Sequence, residues 1–316
     1  MSINQPVMNF QQWRAIFIIS VIWSSSFVIY KAMGAVYQPL MIALIRCVIG
    51  ASCLWVYCGY KKISLWHYKQ YFPIFVIFGL LSNIIPFTLS GWLIKDVGAG
   101  VSAIIYSMNP ILIALLVRFF YQDHRLSPLR FSGILVAVMG ISVMMGVDAF
   151  LFLQKNDDNY FLKELALLMV AVSFAVQAVL VRKHNIKKIP AAVIVAGQNI
   201  FSVIILLPLV FLFDTPFDYI INPDGKLLLI VVIYNILSMG YAYGVYFNII
   251  KQAGSVNGSM FAMFVPPLGV LYAFLFFDEK LLWNQLVGFL IVSIGLLLVD
   301  GRFFGYAIKK WQKIFL

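Results

Sequence analysis

Apolar residues in this chain come in runs of about 20, and short polar stretches between them hold most of the charges. A run of that length, wound as a helix, crosses the roughly 30 Å hydrocarbon core of a bilayer. The pattern predicts ten such helices, over residues 13–33, 39–59, 71–94, 98–121, 128–147, 162–182, 190–213, 227–250, 255–277 and 281–300. Residues 1–11 read as a polar leader. The first run is longer than the roughly 7–15 residues of a signal-peptide core, and no small-residue cleavage site follows it, so it is expected to be retained. Pro39 is a good helix-start residue. Gln154–Asn159 reads as a linker, and Asn222-Pro223-Asp224-Gly225 as a stop signal.

Polar punctuation inside the runs repeats. Pro110, Asp123-His124-Arg125-Leu126, Gly133 and Gly140 return as Pro266, Asp278-Glu279-Lys280-Leu281, Gly288 and Gly295. The separations are 156 residues for the prolines and 155 for each glycine pair. Lys95 and Lys251 are also 156 apart, while Lys31/Arg182 and Pro39/Pro190 are 151 apart. Matches in one order at nearly one offset describe an internal repeat. Each copy holds five helices, an odd number, so the second copy enters the membrane from the opposite side. The expected fold is therefore an all-α polytopic membrane protein with ten transmembrane helices as two inverted five-helix repeats, an arrangement used by many secondary transporters. The expected division is 1–150 for the first repeat, 151–160 for an outer linker, 161–301 for the second repeat and 302–316 for a basic cytoplasmic tail. Channels also use inverted repeats, so carrier and pore both stay open at this point.

Composition agrees with the pattern. Only 11% of residues are charged and 63% are hydrophobic, whereas a soluble domain carries about 25% charged residues. The net charge of +11 sits in short clusters between apolar runs, which fits cytoplasmic loops and not nucleic-acid binding. With the N-terminus inside, sixteen of the 23 Lys and Arg residues face the cytoplasm, six face outward and Arg46 lies within a span. That bias orients the chain with both termini cytoplasmic; the tail from Arg302 is expected on the membrane surface.

Candidate chemistry is sparse. Cys47, Cys53 and Cys58 share one apolar stretch with no C-x-x-C pair, and His67, His124 and His184 are isolated, so neither a disulfide nor a metal site is expected. No P-loop and no G-x-S-x-G is present, which gives no sign of ATP hydrolysis or of an intramembrane enzyme. The twelve acids fall at predicted helix ends or in loops, with Asp96 the nearest to a proton carrier. Arg46 is the exception among the bases. It lies about 10 Å past Pro39 along its helix, where a charge costs about 2.5–3.5 kcal/mol on insertion scales. Either a ligand carboxylate, a water-filled cavity or a structural partner must offset that cost.

Asn83 in the third helix, Tyr106 and Asn109 in the fourth, Gln177 in the sixth and Tyr241 in the eighth are further polar groups expected to face the bundle interior. Tyr106 and Asn109, three apart, share a helix face, and Pro110 frees a carbonyl in the turn before it. Trp23 and Tyr30 are candidates for an aromatic wall or outer gate, and Pro110 and Pro266 for hinges.

Trp23-Ser24-Ser25-Ser26-Phe27 resembles the W-G-S-x-F stretch of the EamA-type branch of the drug/metabolite transporter superfamily. Pro39 with Arg46 resembles that family's second helix. The stretches from Pro110 to Gly140 and from Pro266 to Gly295 resemble its paired signature of a proline followed by E-R/K-L at the next hinge. His124 departs from it, standing where the family has Glu, whereas Glu279 keeps the acid. The resemblance covers essentially the whole chain. It implies ten helices, cytoplasmic termini, and a central cavity lined mainly by helices 1, 3, 4, 6, 8 and 9. It also implies transport of small metabolites, often export of amino acids or related compounds.

The expected function is a secondary active transporter, an exporter or exchanger of a small polar metabolite such as an amino acid, working by alternating access in a bacterial inner membrane. Arg46 would bind a carboxylate, and Asn83, Tyr106, Asn109, Gln177 and Tyr241 would supply hydrogen bonds. The expected partners are the substrate, the bilayer and a coupling proton or counter-substrate, with no cofactor, no metal and no nucleic acid. A carrier of a larger planar nucleoside-like or vitamin-like metabolite, a channel and an intramembrane enzyme are the alternatives.

Overall fold

The computed structural model describes residues 9–106, 108–120, 128–145, 160–183, 189–214, 225–253, 261–280 and 282–300. The hinge at Asp123–Leu126, the stretch Gln154–Asn159, His184, the turn at Asn222–Asp224 and the tail from Arg302 lie outside the described residues. All regular structure among the described residues is helical. Six stretches are long and apolar enough to cross a membrane: Phe10–Val36, Pro39–Tyr60, Leu65–Val97, Leu162–Val181, Ala191–Phe213 and Gly225–Tyr246. Repeated long apolar helices make this a multi-pass membrane protein.

The first helix, α1 (Phe10–Val36), starts earlier than the apolar pattern suggests. Asn9 accepts from the Gln12 amide while the Gln12 side chain accepts from the Asn9 amide, a reciprocal cap that carries the helix into the polar leader. Next comes α2 (Pro39–Tyr60), with Pro39 in its first turn as expected. The third apolar run is not one regular helix. A 3-10 segment, Leu65–Tyr71, leads into α3 (Phe72–Gly79), then a π-helical turn, Leu80–Ile84, then α4 (Ile85–Val97).

The fourth run, expected as one helix, is also divided, into α5 (Ala99–Tyr106) and α6 (Asn109–Phe120). Pro110 has no amide to return to the Tyr106 carbonyl, so the ladder breaks there and restarts with the Ile111 and Leu112 amides on Met108. After it come α7 (Pro128–Met145), α8 (Tyr160–Lys183) and α9 (Ala191–Phe213). The eighth run repeats the plan of the third: α10 (Gly225–Asn235), a π segment Ile236–Ala242, and α11 (Tyr243–Ala253). The two π segments begin 156 residues apart, the same separation as Lys95 and Lys251. Last come α12 (Phe261–Phe277), which runs unbroken through Pro266, and α13 (Trp283–Asp300).

Long-range packing joins early helices to late ones. α7 lies along α13, α2 along α9 and α1 along α12, while α8 packs on α4 and α6. The α7–α13 contact uses the glycines of the repeated signature. A methyl group added at Gly140 would lie 2.6 Å from the Val292 amide nitrogen, and one at Gly295 would lie 2.7 Å from the Ala137 nitrogen. The two backbones therefore touch, as small residues allow in lipid, where apolar burial gives no drive for helices to associate.

At one end of the bundle a single carboxylate ties three segments together. Glu279, in the hinge after α12, accepts a hydrogen bond and ion pair from Lys31 of α1. It also accepts from the amides of Ala99 and Gly100, each at 3.1 Å, at the start of α5. These amides have no intrahelical acceptor and carry the positive end of the helix dipole. Gly98, at φ +90°, makes the turn between α4 and α5 that presents them. Burial pushes the Glu279 carboxyl up, but the Lys31 bond and the two amides outweigh it and hold the group below the usual carboxylate range.

These contacts generate two predictions. Gly140→Leu should force α7 and α13 apart at a cost of about 1–3 kcal/mol, read as a lower melting temperature in detergent, while Gly59→Leu, where an added carbon meets nothing, should not. A depressed carboxyl stabilises the fold above its unfolded pKa and loses that contribution as pH falls through the folded value. Wild type should therefore melt higher than Glu279→Gln at pH 7, with the gap closing below about pH 4.3; an equal gap at pH 7 and pH 3 would refute the tie.

Candidate substrate site

The second helix carries the one basic side chain that the apolar pattern places inside a span. Seven residues past Pro39, Arg46 is 2% exposed. Its guanidinium carbon lies 4.2 Å from the ring centre of Phe87 on α4, 4.6 Å from Tyr30 on α1 and 4.9 Å from Tyr234 on α10. Among the described residues no carboxylate comes within 4.0 Å of it. Nε and Nη1 of Arg46 are buried without an acceptor, as is the hydroxyl of Tyr30. A guanidinium offers five donors and no acceptor. The ring faces offset part of its burial, at about 2 kcal/mol or more per contact when desolvated, but ring faces do not replace hydrogen-bond acceptors. The arrangement can hold a carboxylate.

One turn past Arg46, Gly50 touches a second polar group. A methyl group there would lie 3.0 Å from Oδ1 of Asn199. Asn199, Gln198 and Ser202 form a fully buried patch on α9. Asn83, in the first π segment, donates to Ser202 Oγ at 3.1 Å and to Asn199 Oδ1 at 3.4 Å. Gln177 of α8 donates to Ser82 Oγ at 3.0 Å and to Gln198 Oε1 at 3.2 Å. Oδ1 of Asn83 and Nε2 of Gln198 are left buried and unpartnered. Asn83 and Gln177 were legible as candidates from sequence; Gln198, Asn199 and Ser202 were not. Their signal was three polar residues at i, i+1 and i+4 inside a 23-residue apolar helix.

Tyr106 shares a 2.7 Å hydrogen bond with Ser90 and sets its ring against Phe27 and Phe174. Asn109 starts α6 with its Oδ1 buried and unpartnered. Trp23 stands apart from the Arg46 rings, edge-on to Tyr243, Tyr246 and Phe261 at 4.5–5.3 Å. Pro110 adjoins the break between α5 and α6, and Pro266 lies inside α12; their side chains lie outside the described residues.

Tyr241 does not join these groups. It is 49% exposed and continues the outward row of Leu229, Ile233 and Leu237. The π segment explains the departure. In a regular helix residues seven apart share a face, which would set Tyr241 under Tyr234. One extra residue in a π turn rotates the rest of the helix by about 100°. Ala242, fully buried, takes that place instead, and Tyr234 is the tyrosine of this helix that meets Arg46. Accordingly Tyr234→Leu should destabilise the fold by about 2 kcal/mol, the worth of one desolvated cation–π contact, read as a lower melting temperature in detergent, and Tyr241→Leu should leave the melting temperature unchanged.

Comparison with known proteins adds a family. A model described as the EamA-like transporter family matches residues 14–146 and 162–300. The uncharacterized transporter YoaV of Bacillus subtilis (strain 168) is 22% identical over 280 residues, which cover 88% of this chain and 92% of the relative. The uncharacterized transporter YdfC of the same organism is 23% identical over 301 residues, covering 93% and 91%. A WAT1-related chloroplastic protein of Arabidopsis thaliana is 22% identical over 92% of this chain and 70% of its own length. One solved crystal structure superposes with a TM-score of 0.65 at 19% identity, over 92% of this chain and 96% of the other, a likeness that shows the fold alone.

Proposed function

The chain belongs to the EamA-like transporter family, and from that premise we propose that it is a secondary carrier of a small polar metabolite bearing a carboxylate, such as an amino acid, exported or exchanged by alternating access. The observation that carries this is Arg46, buried at 2% exposure with two guanidinium nitrogens lacking acceptors. Those donors await an anionic group that is not supplied by the described residues. Asn83, Gln177 and Tyr106, with Asn109 near the break in the fourth run, provide neutral hydrogen-bonding groups around the same interior. Trp23 forms an aromatic wall with Tyr243, Tyr246 and Phe261, and Tyr30 serves as a wall of the Arg46 pocket. Tyr241 is left out of this assignment because it faces outward.

The carrier is read as ten transmembrane helices in two inverted five-helix repeats, 1–150 and 161–301, joined by 151–160 and followed by the basic tail 302–316. Three observations support the doubling. The π segments recur at the offset of the sequence repeat. Exchanging the two halves maps the α1–α12 contact onto α8 against the fourth run, and turns the α2–α9 and α7–α13 contacts into themselves. The signature glycines of both copies meet in one contact. The basic bias of the loops supports cytoplasmic termini in a bacterial inner membrane. The break beside Pro110, with flexing at Pro266, where the helix lacks one amide hydrogen bond, would let the paired helices reorient about the fixed site. A coupling proton or counter-substrate completes the cycle.

A carrier for a larger planar metabolite is the second reading, favoured by the three aromatic side chains around Trp23. Counterflow in proteoliposomes loaded with amino acids or nucleosides separates the two. Arg46→Ala should reduce counterflow of the accepted carboxylate at least tenfold, and Arg46→Lys should fail to restore it, because an ammonium lacks the planar fork that stacks between rings. Unchanged transport in Arg46→Ala would remove Arg46 from the site.

A further inference from the structure

Three rings on three helices converge on one cation. Phe87, Tyr30 and Tyr234 stand 4.2, 4.6 and 4.9 Å from the Arg46 guanidinium carbon, all inside the roughly 6 Å reach of a cation–π contact. Proteins that bind free alkylammonium groups use the same construction, an aromatic cage. Here the cage is sunk in the bundle. Phe87, Tyr30 and Tyr234 are each buried, as is Arg46. No acid accompanies it among the described residues. The rings, and not a counter-ion, are what this part of the structure offers to a positive charge.

We infer that Tyr30, Phe87 and Tyr234 form a cation-binding cage whose permanent occupant is the chain's own Arg46, and that this self-occupancy is the charge filter of the carrier. With the guanidinium in place, the cage is filled and its surroundings are positive. Cationic metabolites are turned away, and a carboxylate is drawn to the donors of the guanidinium that the rings leave unmet. Shortening Arg46 empties the cage without removing it. The vacated site then fits a small planar or tetrahedral organic cation, guanidinium or alkylammonium, and the selectivity of the carrier inverts.

The consequence for transport rests on the proposed carrier function; the cage itself does not, and a binding measurement reads it separately. Purified full-length Arg46→Ala is titrated with methylguanidinium and with methylurea, its neutral counterpart of similar shape, and melting is followed. A ligand that binds only the folded state raises the melting temperature with its concentration. The expected result is a rise with methylguanidinium in Arg46→Ala at concentrations at least tenfold lower than methylurea needs for the same rise, a ratio of dissociation constants that corresponds to about 1.4 kcal/mol. Wild type should respond to neither, and Arg46→Ala combined with Phe87→Leu should lose the preference. If Arg46→Ala folds only when methylguanidinium is present during purification, the cage is likewise supported. Equal responses to the two compounds, or failure to fold in the presence of both, overturn it. Methylguanidinium binding together with undiminished carboxylate transport in Arg46→Ala would keep the cage and defeat the substrate role of Arg46, so the two claims fail on different results.

Discussion

A permanent positive charge inside a bundle of apolar helices costs about 2.5–3.5 kcal/mol even on the gentlest insertion scales, and the centre of this protein is arranged around meeting that cost. Arg46 cannot lose its proton to escape it. The chain answers with aromatic faces drawn from α1, α4 and α10. The helices that bring those faces together are fixed by other contacts: α2 runs along α9, and α1 runs along α12. Rings satisfy the charge and leave donors of the guanidinium unsatisfied. That remaining demand is what makes the position a site and not merely a buried ion.

The π segments explain how side chains reach the interior at the required places. A π turn shifts the register by one residue. In the third run it gathers Ser82, Asn83 and Ile84 into the buried face; in the eighth it leaves Tyr234 and Ala242 inward and Tyr241 outward. This is also where the expectation that the polar groups of these helices all face the bundle interior fails, at Tyr241. Apolar run length marked out the helical stretches, the isolated charge singled out Arg46, and the repeat singled out the glycines, though not that α7 and α13 meet at them. None of those depends on a local register. Tyr241 does, because its face is decided by a backbone hydrogen-bond pattern that composition does not encode. The partners of Glu279 were hidden for another reason. Lys31 stands 248 residues away in sequence and the amides of Ala99 and Gly100 about 180, so only the packed helices bring them together. Once placed, the acid of the E-K-L hinge caps one helix start and pairs with a lysine from another helix.

On the proposed doubling, the two halves need not chemically mirror each other. The offset that relates Pro39 to Pro190 relates Arg46 to Gly197. At Gly197 there is no side chain, and the ring of Phe75 packs directly on the backbone there. The offset of the π segments relates Tyr234 to Phe78 and Phe87 to Tyr243. Phe78 is fully buried in an apolar cluster with Phe75, Ile189 and Val193. The first copy therefore carries the cation, with rings of both copies around it, and the second fills the position matching Arg46 with hydrocarbon. A structurally doubled carrier needs two similar halves to exchange conformations, but a single substrate needs only one charged anchor. Putting a second arginine at the Gly197 position would bring another uncompensated charge into the same membrane depth, so a lone charge beside a packed apolar counterpart is the arrangement with the smaller electrostatic cost. The fold can be symmetric in its backbone because the charged anchor stands in one half only, while both halves supply the rings and amides around it.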